Sequence, residues 1–378
     1  MPETPCYIFD IDEAKARIAL IRQKLPGIPL TFSVKANSFI VKEIEESVDH
    51  IEVCSPGELE ICRQLRIAPE KIIYSGVMKE EADLRDAVRY GSGIVTAESE
   101  QQLALIDRIA REEGKAIRVL LRVSSGNQFG MDPRDIIRIM ESRASLRAVS
   151  LIGFHFYSGT QKKKETQFRK DFDQLSVLIE DCRNSFGFSP ALVEYGPGLA
   201  VEYFREEADR ADLELLELFA RWSSAFTERY PVGIELGRFI AAPCGQYVSA
   251  VKDLKVNGET HYAILDGGIH HLKYHGQMMA MNSPHITQEP TRDGELRPYC
   301  LCGSLCTVAD VLAKTELKEL KTGDRLTFDK CGAYSVTEAS ALFLSREMPA
   351  VYLRKAGQIR CARKGMPTYG INCPSDVK

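Results

Sequence analysis

Short runs of β-branched and other apolar residues recur along the first two thirds of the chain. Most are followed by a stretch with apolar positions spaced i, i+3, i+4. The runs are LTFSVK at 30–35, IEVC at 51–54, IIY at 72–74, GIV at 93–95, IRVLLRV at 117–123, SLIGFH at 150–155, ALVEY at 191–195 and VGIEL at 232–236. Helical periodicity fills 56–65, 79–90, 99–113, 133–142, 164–186 and 213–230. Ser55 followed by Pro56 is a strong helix start, a side chain able to cap and then a residue whose missing N–H is not needed in the first turn. Alternating strands and helices of this number predict an α/β fold, a (β/α)8 TIM barrel of the alanine racemase-like kind, over residues 11–240.

Beyond residue 240 the helical period fades and strand-like pieces appear at 246–254, 261–265, 299–302, 325–328 and 350–354. Asn257–Gly258, Asp293–Gly294 and Gly323–Asp324 supply turns between them. The CYIFD run at 6–10 precedes the first barrel strand and is expected to join the later strands. Residues 1–10 plus 241–378 are therefore read as a second domain, a β-sandwich or β-barrel-like unit. The stretch from Lys355 onward is basic and irregular and carries no element prediction.

Composition changes this picture little. A chain of 378 residues with 44% hydrophobic and 27% charged residues can bury a large core without disulfides or metals. A net charge of −4 and a pI near 6.1 argue against nucleic acid or an anionic membrane as partner. No apolar stretch approaches the roughly 18–20 residues of a membrane helix, and the acidic N-terminal stretch does not read as a secretory signal. Eleven cysteines in such a chain point to free thiols in a reducing cytoplasm.

Barrel enzymes place their chemistry at the C-terminal ends of the strands. Here those ends carry Lys35, Arg122, His155 followed by Ser158, the Gly196–Pro197–Gly198 turn, and Glu235 followed by Gly237 and Arg238. Singly, each has a plain structural reading as a rim charge, a hydrogen-bonded imidazole or a turn. Together they meet the needs of pyridoxal 5'-phosphate (PLP). A lysine in a partly desolvated mouth forms a Schiff base, and glycine-rich backbone and an arginine bind phosphate. A carboxylate keeps a pyridine nitrogen protonated, and an imidazole face can stack on the ring.

These stretches are matched by others in a fixed order: SVKAN at 33–37, EVCSPGELE at 52–60, GFHFYSGTQ at 153–161, EYGPGL at 194–199, ELGRF at 235–239, LDGG at 265–268, CGSLCTVADVL at 302–312 and CGAYSV at 331–336. On them the chain resembles the fold-type III PLP-dependent decarboxylases, the group of diaminopimelate and ornithine decarboxylases, from about residue 4 to about residue 353. The resemblance implies that Lys35 holds PLP, His155 stacks on its ring and Glu235 pairs with its pyridine nitrogen. It places Ser158, Gly196, Gly198, Gly237, Arg238 and Tyr334 around the phosphate, with Arg122 among the cofactor-binding residues. It also implies a homodimer with shared active sites, in which Cys306 comes from the partner and protonates Cα after CO2 leaves.

The substrate is read mainly from what is missing. The stretch at 267–279, GGIHHLKYHGQMM, lacks the Arg–Pro pair with which diaminopimelate decarboxylases grip a distal carboxylate. Thr307 stands where those enzymes tend to carry glutamate and ornithine-type enzymes aspartate. Asp266 and Asp310 match acidic positions of the family, and His270 and His271 lie nearby; with Thr307 they form the expected substrate set. The combination is similar to a branch serving siderophore and antibiotic pathways, whose substrates include amino acids on a carrier protein or a larger acid. The alternatives are a diaminopimelate or other free basic amino-acid decarboxylase, an alanine-racemase-type enzyme, and a non-catalytic PLP-binding homologue. Cys300, Cys302 and Cys306 lack the paired C-x2-C spacing of a zinc site, and no metal is expected.

Overall fold

The computed structural model describes residues 2–204 and 207–374. The chain divides into two compact units, one of Arg17–Ala200 and Asp212–Phe239, the other of Met1–Ala16, Val201–Ala211 and Ile240–Lys378.

The first unit is the (β/α)8 barrel. Strands β2 (Leu30–Ser33), β3 (His50–Val53), β4 (Ile72–Tyr74), β5 (Ile94–Ala97), β6 (Ile117–Val123), β7 (Val149–Tyr157), β8 (Leu192–Gly196) and β9 (Val232–Leu236) close on themselves in chain order. They are parallel and largely buried on both faces, which is why they read as nearly unbroken apolar runs. Element ends moved by a residue or two from the sequence expectation. The most consequential shift is at the first barrel strand, which stops at Ser33 and hands Lys35 to a single 3-10 turn, Val34–Ala36. The cap at Ser55 forms as expected. Its hydroxyl accepts from the Glu58 N–H at 3.2 Å, and the Glu58 carboxylate accepts from the Cys54 N–H at 2.7 Å.

The second unit is a mixed sheet in which β1 (Cys6–Asp10) lies between two strands from far along the chain. It runs antiparallel to β10 (Gly245–Asn257) and parallel to β16 (Ala350–Lys355). The main path is completed by β11 (Thr260–Leu265), β13 (Arg297–Cys302), β14 (Val311–Leu317) and β17 (Gln358–Arg363). Strands β12 (Ile286–Glu289) and β15 (Arg325–Phe328) pair with each other, and β15 with β10. β12, β14 and β17 have no counterpart in the sequence reading. β12 and β17 are largely solvated, so alternation of apolar and polar residues barely marks them. Tyr7, Phe9, Tyr247 and Phe328 form the aromatic centre of this unit, with neighbouring ring centroids 5.1 to 6.1 Å apart.

Candidate active site

The C-terminal ends of β2, β3, β7 and β9 bring four side chains together inside the barrel. The Lys35 ammonium lies 2.6 Å from Glu52 Oε2 and 3.7 Å from Glu235 Oε1. His155 Nε2 lies 3.0 Å from Glu235 Oε2, and the Ser33 hydroxyl donates to Glu235 Oε1 at 3.3 Å. Lys35 is the accessible member, its side chain 39% exposed against 2% for Glu52 and 5% for Glu235. Burial alone would push the Glu235 carboxyl up. Lys35, His155 and Arg122 outweigh it and hold the group well below the usual carboxylate range, so Glu235 is an anion at any working pH. The Cys54 thiol, 3.4 Å from the Lys35 nitrogen and donating to Glu52 at 3.0 Å, is pushed well up by burial and stays protonated.

Glu52, His155 and Glu235 present ligand atoms within 4.8 Å of one another, a spacing that suits a cation. The Lys35 ammonium already occupies that role, bridging both carboxylates. The arrangement fits PLP better. A reactive amine sits at the mouth, an ionised buried carboxylate stands ready for a pyridinium N–H, and the loop beyond β8 is stripped of side chains. A Cβ at Gly198, whose φ is +58°, would fall 1.8 Å from the Gly159 carbonyl oxygen, and one at Gly196 2.7 Å from the Tyr157 ring. Only glycine lets the 159–160 backbone and the Tyr157 ring close over these positions. Arg238 follows Gly237 at the end of β9, and its Nε donates to the Thr160 hydroxyl at 3.4 Å.

Two expected cofactor residues make hydrogen bonds within the protein. Ser158 is the first residue after β7 and is half-buried. Its hydroxyl donates to Asp171 at 2.8 Å and accepts from Lys162 at 2.8 Å. Arg122 is buried, paired with Glu98 at 2.7 Å and lying over the Phe129 ring at 4.8 Å. Sequence reasoning missed Glu52, Cys54, Glu98 and Thr160. Period-2 alternation along β3 was the signal that could have found Glu52; Thr160 lies beyond the end of β7 and has no such signal.

The remaining expected residues belong to the second unit. Cys306, Thr307 and Val308 are exposed at the tip of the loop joining β13 to β14. Asp310 folds that loop back, its carboxylate accepting from the Ile269 and Leu305 N–H groups at 2.8 and 2.7 Å. Asp266 accepts from Thr4, Ser249 and the Ala250 N–H. His271 lies 3.0 Å from the Tyr247 hydroxyl and 2.9 Å from the Glu347 carbonyl, so its ring holds the sheet together. His270 is buried with neither ring nitrogen hydrogen-bonded among the described residues, and burial lowers it to about 3. Tyr334, half-buried, takes a left-handed backbone (φ 66°) ahead of the short helix Ser335–Glu338. Among the described residues no helix is long and apolar enough to cross a membrane.

Comparison with known proteins places this geometry. Residues 11–244 match the family model described as pyridoxal-dependent decarboxylase, pyridoxal binding domain. The chain is 29% identical over 391 residues to the L-glutamyl-[BtrI acyl-carrier protein] decarboxylase of Niallia circulans, covering 96% of this chain and 91% of that one. It is 27% identical over 379 residues to the diaminopimelate decarboxylase of Aquifex aeolicus, covering 96% and 89%. It is also 27% identical over 392 residues to the 2-[(L-alanin-3-ylcarbamoyl)methyl]-2-hydroxybutanedioate decarboxylase of Staphylococcus aureus, covering 92% and 93%.

Proposed function

The chain belongs to the pyridoxal-dependent decarboxylases, and from that premise we propose that it removes the carboxylate of an amino acid carried on a carrier protein or a larger acid. Bound PLP supplies an electron sink conjugated to the reacting Cα. The protein's own groups do the rest. Lys35 is the amine that holds the cofactor, and Glu52, at 2.6 Å, is placed to take the proton the ammonium must lose. Glu235 stays ionised and holds a proton on the pyridine nitrogen, with His155 and Ser33 fixing its two oxygens. Cys306, on an exposed loop, acts from a second copy of the chain and delivers a proton to Cα once CO2 has left.

The observation that carries the decarboxylase reading is the Lys35–Glu52–Glu235–His155 cluster inside the barrel. The conjugated substrate is supported by similarity along nearly the whole chain to an enzyme named for a carrier-bound glutamyl group. Thr307 supports it further, because it leaves no charge at that position for a free distal amine. The similarity to a diaminopimelate decarboxylase keeps free diaminopimelate as the second reading. Mass spectrometry of purified protein with PLP, given diaminopimelate, lysine, ornithine and glutamate both free and as acyl or carrier conjugates, separates the two. Loss of CO2 from a conjugate with free amino acids untouched is the expected result. Rapid turnover of free diaminopimelate overturns it.

A further inference from the structure

We propose that Cys300 and Cys302 are an oxidisable pair, whose disulfide unsettles the loop carrying Cys306 and so slows turnover reversibly. The effect on turnover rests on Cys306 being the proton donor proposed above; the pairing of the two thiols does not. Both residues lie on β13, two positions apart, so their side chains leave the same face of the strand. Their sulfurs are 3.7 Å apart. Two residues of extended strand separate the Cα atoms by about 6.6 Å, inside the span of about 4.4–6.8 Å that a disulfide bridges. Cys300 is buried and Cys302 half-buried, and both line a cavity of about 640 Å³ that also reaches Thr307 and Val308. The cavity gives a small oxidant such as hydrogen peroxide access to both.

With peroxide as oxidant the step balances. One thiol loses its proton and its sulfur takes an oxygen from peroxide, giving a sulfenic acid and one water. The second sulfur then displaces that oxygen as another water, and the S–S bond forms, so two protons and two electrons have passed to peroxide. Burial and the adjacent Cys300 push Cys302 up to about 12, so this thiol keeps its proton and the pair stays reduced until oxidant accumulates. Closure pulls on the base of the Cys306 loop. Cys302 ends β13 where its pairing with β14 already slips, between Leu301 and Cys302. The next residue, Gly303, is wedged: a Cβ there would clash with both the Asp310 carboxylate and the Gly268 Cα. Its N–H donates to the Asp310 carbonyl at 3.0 Å, and the Asp310 carboxylate accepts from the Leu305 N–H at 2.7 Å. Movement of Cys302 finds no slack at Gly303, so it passes to Asp310 and to the loop that Asp310 holds.

The first measurement uses a Cys306→Ala chain, in which the 298–314 stretch holds only these two cysteines. After hydrogen peroxide, alkylation of free thiols and digestion, mass spectrometry should find the peptide bearing them unalkylated and lighter by two hydrogens. Dithiothreitol should restore both thiols. Alkylated thiols or sulfenic acids without the bond overturn the pairing. The second measurement follows the unmodified protein with PLP. On oxidation, amide hydrogen exchange over 303–310 should quicken and turnover should fall by about 10- to 100-fold, the cost of displacing a reacting group slightly. Dithiothreitol should reverse both changes. Cys300→Ser and Cys302→Ser should each lose much less, and an equal loss in them assigns it to another thiol and overturns the switch. If serine is not tolerated at the buried position 300, Cys302→Ser alone carries the comparison. Exchange and turnover left unchanged in protein that carries the disulfide overturn the coupling to the loop. If the unmodified protein decarboxylates no amino acid at all, that failure belongs to the proposed function, and exchange over 303–310 decides on the switch by itself.

Discussion

Glu194 lies inside the closed barrel, fully buried, with the Thr31 hydroxyl as its polar neighbour, and burial pushes its carboxyl up to about 8. Between its ordinary 4.5 and that value the folded chain holds a proton that the unfolded chain has lost. Stability therefore falls as pH rises through the window, by at most about 1.4 kcal/mol per pH unit. Glu194→Gln mimics the neutral acid. Its melting temperature should decline less than the parent's from pH 4.5 to 8, and identical slopes in the two proteins would refute a buried neutral acid. His270 and His271, lowered to about 3 and about 4, act in the opposite sense. The unfolded chain takes up their protons first, so stability falls as pH drops below 6.5. At this scale the sequence was legible only in part. Lys35 and Glu235 could be picked by chemical type and position at strand ends. The partner of each could not, because pairing depends on which strands are neighbours and which face each residue takes. Ser158 follows the end of β7, and its partners Asp171 and Lys162 come from the helix and loop that follow, which no strand period foretells.

The long helix Glu165–Phe186 does more than cover the barrel. Through Asp171 it collects Ser158, the Lys162 ammonium and the Tyr195 hydroxyl, all on one carboxylate oxygen. Lys162 and Asp171 are both 4% exposed, so this is a buried ion pair that anchors the 158–162 loop. Breaking it one-sidedly strands a charge. Asp171→Asn should cost about 3–5 kcal/mol in urea unfolding, whereas the double change Lys162→Met with Asp171→Leu should recover much of that loss. A double variant no better than the single one would mean the pair, rather than the stranded charge, carries the stability. The eight-fold alternation of strand and helix was plain in the chain because buried parallel strands and amphipathic helices leave different periods. Two of the three strands that escaped notice, β12 and β17, are solvated ones of the second unit, where the period is weak.

For the whole molecule, the proposed use of Cys306 from a second copy makes activity a property of pairs. A chain with Lys35→Ala and a chain with Cys306→Ala should each be nearly inactive. Mixed and re-equilibrated, they should regain about a quarter of full activity, since half of the dimers are mixed and each of those rebuilds one site of two. No recovery on mixing would put both groups in one subunit's site. The α/β barrel with a β-rich second unit was legible from pattern alone. The proposed pairing of two copies was not, because pairing leaves no mark on the periodicity of a single chain.

The position of β1 has a consequence for how the molecule is made. Cys6 pairs with Val248 on one side and with Ala350 on the other. At roughly 5–20 residues per second, this first strand leaves the ribosome some tens of seconds before its last partner exists. In that interval the barrel strands can all emerge and close, while an apolar strand with both edges open waits beside them. The nascent chain thus has a long period in which β1 is the segment most in need of a chaperone, and emergence of β16 ends it.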